Sequence, residues 1–207
     1  MRLSILALLL STAPAFAAAP VIDNARVTVW DVPLKAGESG AVSSDAFDSV
    51  ILFLEGGVVK TVHGDGKVTT ASHQLGDAVF VARGSHDVNT AISAAPGGGV
   101  HEVVIALKNH PGTPNPASPG LPNAFPRAGA VKMFENDQAL VWKFSWVPDQ
   151  PVPMHHHDKD TVMVFRYDGP VRILPFARNE IRWSPAGTTH TETLAGEQQS
   201  VVDLEHK

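Results

Sequence analysis

Three histidines have the residue type and the spacing of a transition-metal site. His155 and His157 flank His156 in a run of three. Side chains alternate between the two faces of a strand, so His155 and His157 point the same way and His156 points the other way. His190 lies further along the chain, behind the turn signal Pro185–Gly187. Three converging imidazoles form a facial metal site that leaves coordination positions open for water or a substrate.

Composition excludes several other kinds of site. The 207 residues include no cysteine, which rules out disulfides, thiolate ligands and cysteine nucleophiles. The net charge is −5 and no basic run is present, so we expect no nucleic-acid partner. The sequence has no nucleophile-elbow serine motif, no Walker-type phosphate loop and no H-E-x-x-H zinc motif. The three histidines are therefore the main chemical signal.

The first residues have the pattern of an export signal. Arg2 is followed by an apolar run from Leu3 to Leu10, and Ala15-Phe16-Ala17 resembles a cleavage site. The run is too short to span a bilayer, so residues 1–17 are predicted to be a secretory signal peptide. The mature chain would then begin at Ala18. We expect a periplasmic or secreted protein without membrane attachment after cleavage.

The remaining chain contains an internal repeat. Residues 24–62 align without a gap on residues 136–174 with eight identities, among them Trp30 with Trp142 and Asp48 with Asp160. Such self-similarity predicts a duplicated unit. Two further blocks follow in the same order, residues 82–84 on 185–187 and residues 104–107 on 201–204.

The elements that must position the histidines are predicted to be strands. Gly 17 and Pro 16 punctuate short apolar runs, and no stretch shows a convincing helical period. The Pro-rich segment Pro111–Pro122 is predicted to be an extended surface linker between the copies. This pattern indicates a β-sandwich or jelly roll. The predicted strands are Val27–Val32, Ser49–Leu54, Val58–Val62, Asp77–Ala82 and Val100–Leu107 in the first copy, and Ala139–Trp146, Thr161–Arg166, Val171–Pro175, Glu180–Trp183 and Ser200–Leu204 in the second.

The histidine pattern resembles the two motifs of the cupin superfamily. His155-x-His157 with Gly169 is similar to the first motif, and Pro185-x-Gly187-x-x-His190 is similar to the second. With the repeat, the chain resembles a two-domain cupin, a bicupin, of the kind found among exported bacterial cupin-domain proteins of unassigned activity. The resemblance implies an all-β fold of two jelly-roll barrels. The implied domains are a degenerate barrel over residues 18–110, a linker over 111–127 and a metal-binding barrel over 128–207.

The chain departs from the cupin pattern at one ligand. The first cupin motif usually carries a glutamate four or five positions after its second histidine, where this chain has Thr161 and Val162. A three-histidine site is therefore expected. Asp158 or Asp160 could replace the glutamate if a local bulge brought one in, although the match of Asp160 to Asp48 favours a structural role for Asp160.

The first copy is predicted to hold no metal. His155, His157 and His190 align with Ser43, Asp45 and Asp87, a poor set of ligands for a transition metal. Of the remaining residues, Trp146 and Trp183 could line the mouth of the second barrel. Four arginines near the predicted strands of the second copy are expected to be surface residues, although any that pointed inward could hold a substrate carboxylate: Arg166, Arg172, Arg178 and Arg182.

Two functions remain open. Imidazole ligands suit a divalent transition metal, Fe, Zn, Mn, Ni or Cu, and such a site could serve an oxygenase or an isomerase acting on a small molecule. No general base is evident, and Asp158, His156 or Glu192 would have to serve; the catalytic residues stay unknown. The alternative is a non-catalytic periplasmic protein that binds a small ligand or a metal. Cupins commonly dimerise through strand edges, so the resemblance also allows a homodimer.

Overall fold

The computed structural model describes residues 19–94, 99–108, 118, 120–147, 150–167, 180–192 and 199–207. The described residues form strands and turns, and none of them lies in a helix that could cross a membrane. The predicted signal peptide, Gly169, the predicted strand Val171–Pro175 and the arginines Arg172 and Arg178 lie outside these ranges. Nothing in the structure therefore bears on them.

In the described ranges, nine strands precede residue 110 and seven follow it. The first half contains β1 (Ile22–Asp23), β2 (Val27–Lys35), β3 (Ser39–Ala41), β4 (Asp48–Glu55), β5 (Gly57–Val62), β6 (Val68–His73), β7 (Ala78–Val81), β8 (Val88–Ala94) and β9 (Gly99–Leu107). The second half contains β10 (Val131–Glu135), β11 (Ala139–Ser145), β12 (Val152–His156), β13 (Asp160–Tyr167), β14 (Ile181–Ser184), β15 (Thr189–Glu192) and β16 (Gln199–His206).

The two halves repeat one sheet topology. The large sheet of the first half has the order β1-β2-β9-β4-β7, and that of the second half has the order β10-β11-β16-β13-β14. Each large sheet faces a smaller one, β3-β8-β5-β6 in the first half and β12-β15 in the second. This repeated strand order is the arrangement expected of a duplicated jelly roll, and the all-β prediction is confirmed.

Strand register refines the sequence alignment. Val27 pairs with Leu107 in the first half, and its counterpart Ala139 pairs with His206 in the second. Leu107 therefore corresponds to His206, two positions beyond the Leu204 of the alignment. The alignment matched apolar residues with apolar residues, and it therefore missed this register because β16 ends in the buried polar residues Glu205 and His206.

The central strand β4 of the first large sheet is buried on both faces. Val50, Leu52 and Leu54 of β4 join a cluster with Val162 and Val164 of β13, so the two large sheets pack face to face. The alternate residues Ile51 and Phe53 point into the first barrel. Burial on both faces explains why β4 reads as a continuous apolar run rather than as an alternating one.

Equivalent polar contacts tie the halves together. Asp48 Oδ1 accepts a bond from Arg83 N, and Asp160 Oδ1 accepts one from Ala186 N, at 2.8 and 2.9 Å. The second oxygen of each carboxylate reaches across the interface: Asp48 Oδ2 accepts from Gln138 Nε2, and Asp160 Oδ2 accepts from Arg26 Nε at 2.6 Å. Asp160 therefore has the structural role that its match to Asp48 favoured.

Candidate metal centre

The candidate site lies where β12 pairs with β15. His155 is directly opposite His190, and Val152 is directly opposite Glu192. The partners are three positions apart on β12 but two positions apart on β15, so β12 carries a bulge between Val152 and His155. Directly paired residues share a face of the sheet, so the bulge places Val152 and His155 on the face of Glu192 and His190.

The structure brings the three predicted histidines together and adds a carboxylate. His155, His157, His190 and Glu192 each offer one atom to a group within which all of these atoms lie within 4.8 Å of one another. His157 Nε2 is 3.4 Å from His190 Nε2. Glu192 Oε1 is 3.2 Å from His155 Nε2 and 3.3 Å from His190 Nε2. The arrangement could hold a divalent metal ion with four protein ligands.

The hydrogen bond of His155 determines which of its nitrogens faces the cluster. Its Nδ1 is 3.0 Å from the carbonyl oxygen of Pro153, which can only accept, so Nδ1 carries the proton. In the neutral ring Nε2 then has a lone pair. This buried Nε2 has no hydrogen-bond partner, although Glu192 Oε1 lies close by. Two facing acceptors at this distance suit a cation between them.

A similar relay orients His157. The Thr161 hydroxyl donates to the carbonyl oxygen of Lys159 at 3.1 Å, which leaves its oxygen to accept from His157 Nδ1 at 3.3 Å. His157 Nε2 therefore points its lone pair toward the cluster. Burial, followed by the charges of His190 and His155, lowers the pKa of His157 to about 3. A neutral imidazole is the form that binds a metal.

Two donors hold the other oxygen of Glu192. Trp146 Nε1 donates to Glu192 Oε2 at 2.7 Å, and an Arg127 Nη donates to the same oxygen at 3.0 Å. Burial raises the pKa of Glu192, but the contacts with His155, His190 and Arg127 outweigh it and hold that pKa below its usual range. Glu192 is therefore an anion that faces the three imidazoles.

Arg127 ends a segment that we call the strap, residues 122–127. The backbone of the strap forms hydrogen bonds with both backbone groups of His156 in β12. His156 N donates to Pro122 O at 2.9 Å, and Ala124 N donates to His156 O at 2.7 Å. Ala124 and Phe125 are buried in the second barrel. The surface linker was predicted for Pro111–Pro122, of which Pro122 is exposed, whereas Ala124 and Phe125 in the remainder of the linker 111–127 pack in the second half.

The remaining sequence candidates are not in the cluster. His156 is buried, its backbone is bonded to the strap, and it does not belong to the group of candidate ligands. Asp158 pairs with Lys159 at 2.7 Å, and Asp160 bonds Arg26. Neither aspartate replaces the cupin glutamate. Arg182 pairs with Glu180 at 2.5 Å.

Glu192 was considered as a base from sequence but not as a metal ligand. The signal that could have identified it is strand alternation, since His190 and Glu192 stand two positions apart on β15 and so share a face. The usual cupin glutamate follows the second histidine of the first motif, whereas the carboxylate of this group lies on β15.

The first half lacks equivalent ligands. Gly84 N donates to Ser44 O as Gly187 N donates to His157 O, so Ser44 is the counterpart of His157. This is one position away from the Asp45 of the alignment. The counterpart of Glu192 is Asn89, which donates to Glu102 Oε1 at 2.9 Å. Among the described residues, the group that could hold a metal lies in the second half.

A small cavity adjoins the cluster. It has a volume of about 290 Å³, and its walls include Arg127, Phe144, Trp146, Val152 and Pro153. Arg127 and Trp146 contact Glu192, and the Pro153 carbonyl orients His155. The cavity therefore shares its walls with the residues that support the candidate ligands. Trp146 lines it, as its sequence position suggested, whereas Trp183 packs against the apolar cluster between the large sheets.

Comparison with solved structures decides the fold. The chain superposes on a cupin 2 conserved barrel domain protein from Leptotrichia buccalis with a TM-score of 0.54 and 12% identity, covering 94% of this chain and 92% of that one. The chain has the cupin fold. Bacillus subtilis oxalate decarboxylase, described with Mn(II) centres, gives a TM-score of 0.56 at 11% identity over 87% of this chain and 68% of that one. AerE from Microcystis aeruginosa gives 0.59 at 8% identity over 91% and 96%.

Other comparisons add no assignment. No family model matches the sequence, and no curated protein matches it. Cupin-fold neighbours also include a vicilin from tomato, with a TM-score of 0.57 and 11% identity over 87% of this chain and 75% of that one. Cupin-fold proteins thus include both an enzyme and a vicilin, and at such low identity the likeness shows the fold alone.

Proposed function

We propose that this protein is an exported metal-binding cupin of two barrels, with one divalent transition metal held by His155, His157, His190 and Glu192 in its second barrel. The bicupin organisation, the periplasmic or secreted location and the domain limits 18–110, 111–127 and 128–207 are parts of this proposal. Its reaction class is that of a metal-dependent oxygenase or isomerase acting on a small molecule.

One observation carries the metal site. His155 Nε2 and Glu192 Oε1 face each other at 3.2 Å without a hydrogen bond, while the Nδ1–H of His155 is already used by Pro153 O. A buried acceptor nitrogen without a partner, as His155 Nε2 is here, is costly unless a cation binds it. Imidazole and carboxylate ligands suit Fe, Zn, Mn, Ni or Cu. The Mn(II) centres of oxalate decarboxylase, on the same fold, are compatible with this reading.

At such a site the metal and the surrounding protein residues would have different roles. The metal would supply Lewis-acid or redox chemistry when bound. The hydroxyl of Thr161 and the carbonyl of Pro153 hold His157 and His155 in the tautomer that ligation requires. Four protein ligands leave coordination positions for a small molecule on the side of His190, whose side chain is about one-third exposed.

The adjoining cavity supports a small, largely apolar ligand. Phe144, Trp146 and Val152 offer aromatic and aliphatic surface, and Arg127 offers a charged edge. Cavities with this mixture of apolar walls and few polar groups are typical of small-molecule sites.

A non-catalytic binding protein is the second candidate. Among the described residues the only carboxylate of the group is Glu192, and it is used as a ligand, with its second oxygen bonded to Trp146 and Arg127. No general base remains beside the metal in the described part of the site. This favours metal or ligand binding, or metal chemistry that needs no protein base, over general-base catalysis.

Metal content of the untagged mature protein tests the proposal. We expect about one equivalent of one transition metal in the wild type by elemental analysis, and loss of most of it in His190→Ala, because each missing ligand weakens the site. His63→Ala is the matched control, since His63 bonds Asp87 and Thr69 in the other half. Mixed substoichiometric metals that neither variant alters would contradict the metal site.

Turnover separates the two candidate functions. If the protein is an oxygenase, the loaded protein should consume O₂ with a chelating substrate, and His190→Ala should not. Thermal stabilisation by small apolar acids, without turnover of any of them, would support the binding protein instead.

A further inference from the structure

The two oxygens of Glu192 have different surroundings. Oε2 accepts from Trp146 Nε1 at 2.7 Å and from Arg127 at 3.0 Å, whereas Oε1 lies beside His155 Nε2 and His190 Nε2. The second Arg127 nitrogen is 3.4 Å from Oε1, at the long limit of a hydrogen bond. Oε2 is therefore occupied by protein donors, and Oε1 is the oxygen offered to the cluster.

Arg127 is itself held rigidly. Its guanidinium lies between two rings, with its carbon 4.4 Å from the centroid of Phe125 and 4.7 Å from that of Phe144. Its Nε donates to Ala124 O at 2.7 Å. Ala124 in turn bonds His156 on β12, the strand that carries two of the histidines. The position of Glu192 is thus linked through Arg127 and the strap to the strand that presents His155.

We propose that Arg127, assisted by Trp146, is a positioning residue that restricts Glu192 to one-oxygen ligation of the metal. This inference rests on the proposed metal site. A carboxylate free to rotate could bind through both oxygens and occupy a further coordination position. Holding Oε2 keeps that position available, and with three imidazoles the site then retains two positions for a small molecule that chelates through two atoms.

Mn(II) titration of the apoprotein provides the test, followed by electron paramagnetic resonance. Arg127→Met keeps an unbranched chain between the rings but removes both donors. We expect a 10- to 100-fold loss of Mn(II) affinity, as is typical for removal of a residue that orients a ligand. The Mn(II) spectrum should also change its fine structure, because Glu192 changes its mode of binding. Trp146→Phe removes one donor and no charge, and should shift both readouts in the same direction but less.

Two further variants separate positioning from charge and from packing. Arg127→Lys keeps the charge without the planar fork and should restore only part of the affinity. Arg182→Met is the matched control, since Arg182 also pairs with a glutamate and lies 5.6 Å from a Phe165 ring in the same half, outside the cluster. It should leave affinity and spectrum unchanged.

The possible outcomes distinguish failure of the positioning role of Arg127 from failure of the proposed metal site. If wild type binds no Mn(II) and His190→Ala has no effect, the metal site itself fails. If wild type binds and His190→Ala does not, but Arg127→Met retains wild-type affinity and spectrum, only the positioning role is overturned. Tighter binding by Arg127→Met would also overturn it, because Arg127 would then act as a repelling charge. Unfolding midpoints recorded alongside identify any variant that has simply lost its fold.

Discussion

At the scale of single residues, the candidate site consists of three histidines and one carboxylate, carried by two paired strands. The grouping of His155, His157 and His190 could be predicted because histidine spacing and strand alternation are local properties of the sequence. The same alternation puts Glu192 on the face of His190, but whether Glu192 reaches His155 depends on which strand pairs with β12. Pairing partners are set by the whole sheet, and no local pattern in residues 152–157 specifies them.

Glu192→Gln should weaken metal binding while preserving the fold. The amide keeps the shape of the side chain but loses the negative charge that offsets the cation, so we expect a loss of affinity of at least 10-fold by calorimetric titration. Asp158→Asn, next to His157 but paired with Lys159, should bind as the wild type does. Equal losses in both variants would indicate a general effect of charge rather than ligation.

Glu102 should make stability depend on pH. Its carboxylate is fully buried, only Oε1 has a partner, and burial raises its pKa to about 7 despite the hydrogen bond from Asn89. The folded state thus holds a proton that the unfolded state releases above its pKa of 4.5. This contribution is fully present below about pH 4.5 and is lost as pH rises through 7, amounting to about 3 kcal/mol.

Urea unfolding at pH 5 and pH 8 tests this account of Glu102. Between these values the unfolding free energy of wild type should change by about 3 kcal/mol less favourably than that of Glu102→Gln, which has no proton to release. Glu135→Gln is the control because Glu135 is paired with Lys132 and Lys207 near the surface. Parallel curves for wild type and Glu102→Gln would refute the assignment.

At the scale of elements, the long apolar strands could be predicted and the short polar ones could not. The predicted Val58–Val62 and Val100–Leu107 match β5 and β9 to within one residue. By contrast β6, Val68–His73, was missed because it is polar and mostly exposed, so it has no apolar alternation. Strand β15 was missed for a related reason, since it carries site residues instead of core residues, whereas β12 was implied by the alternation of His155 and His157.

The strap is the element on which site and core both depend. Phe125→Ala should remove a buried ring that stacks on Trp142 at 5.6 Å and supports Arg127. We expect a cost of about 3 to 5 kcal/mol in unfolding free energy, together with weaker metal binding. Phe80→Ala provides a comparison, because Phe80 stacks with Phe134 away from the strap and should reduce stability without altering metal affinity. A strap without influence on the site would leave the metal affinity of Phe125→Ala unchanged.

At the scale of the whole molecule, two like halves pack through their large sheets. The contacts of Asp48 and Asp160 are related by this internal symmetry, but one cross-interface donor is neutral and the other is charged. Arg26 and Asp160 are both largely buried, so removing one leaves the other as an uncompensated charge.

Arg26→Met should therefore destabilise the protein by about 3 to 5 kcal/mol. Gln138→Met, at the symmetry-related position, breaks a bond from a neutral donor and should cost about 1 to 3 kcal/mol. Chemical denaturation of both variants provides the measurement. Similar losses would mean that the ion pair is no more important than the neutral contact.

The repeated register between the halves also provides a template for engineering. At the ends of β3 and β8 in the first half, Val42 is the counterpart of His155, and Ser44, Asp87 and Asn89 are the counterparts of the other three candidate ligands. Three histidines and a glutamate could be introduced at these positions, with Glu102→Gln to remove a neighbouring acid. The first half would then contain a second metal site. One polypeptide could then bind two different metals, one at a defined site in each half.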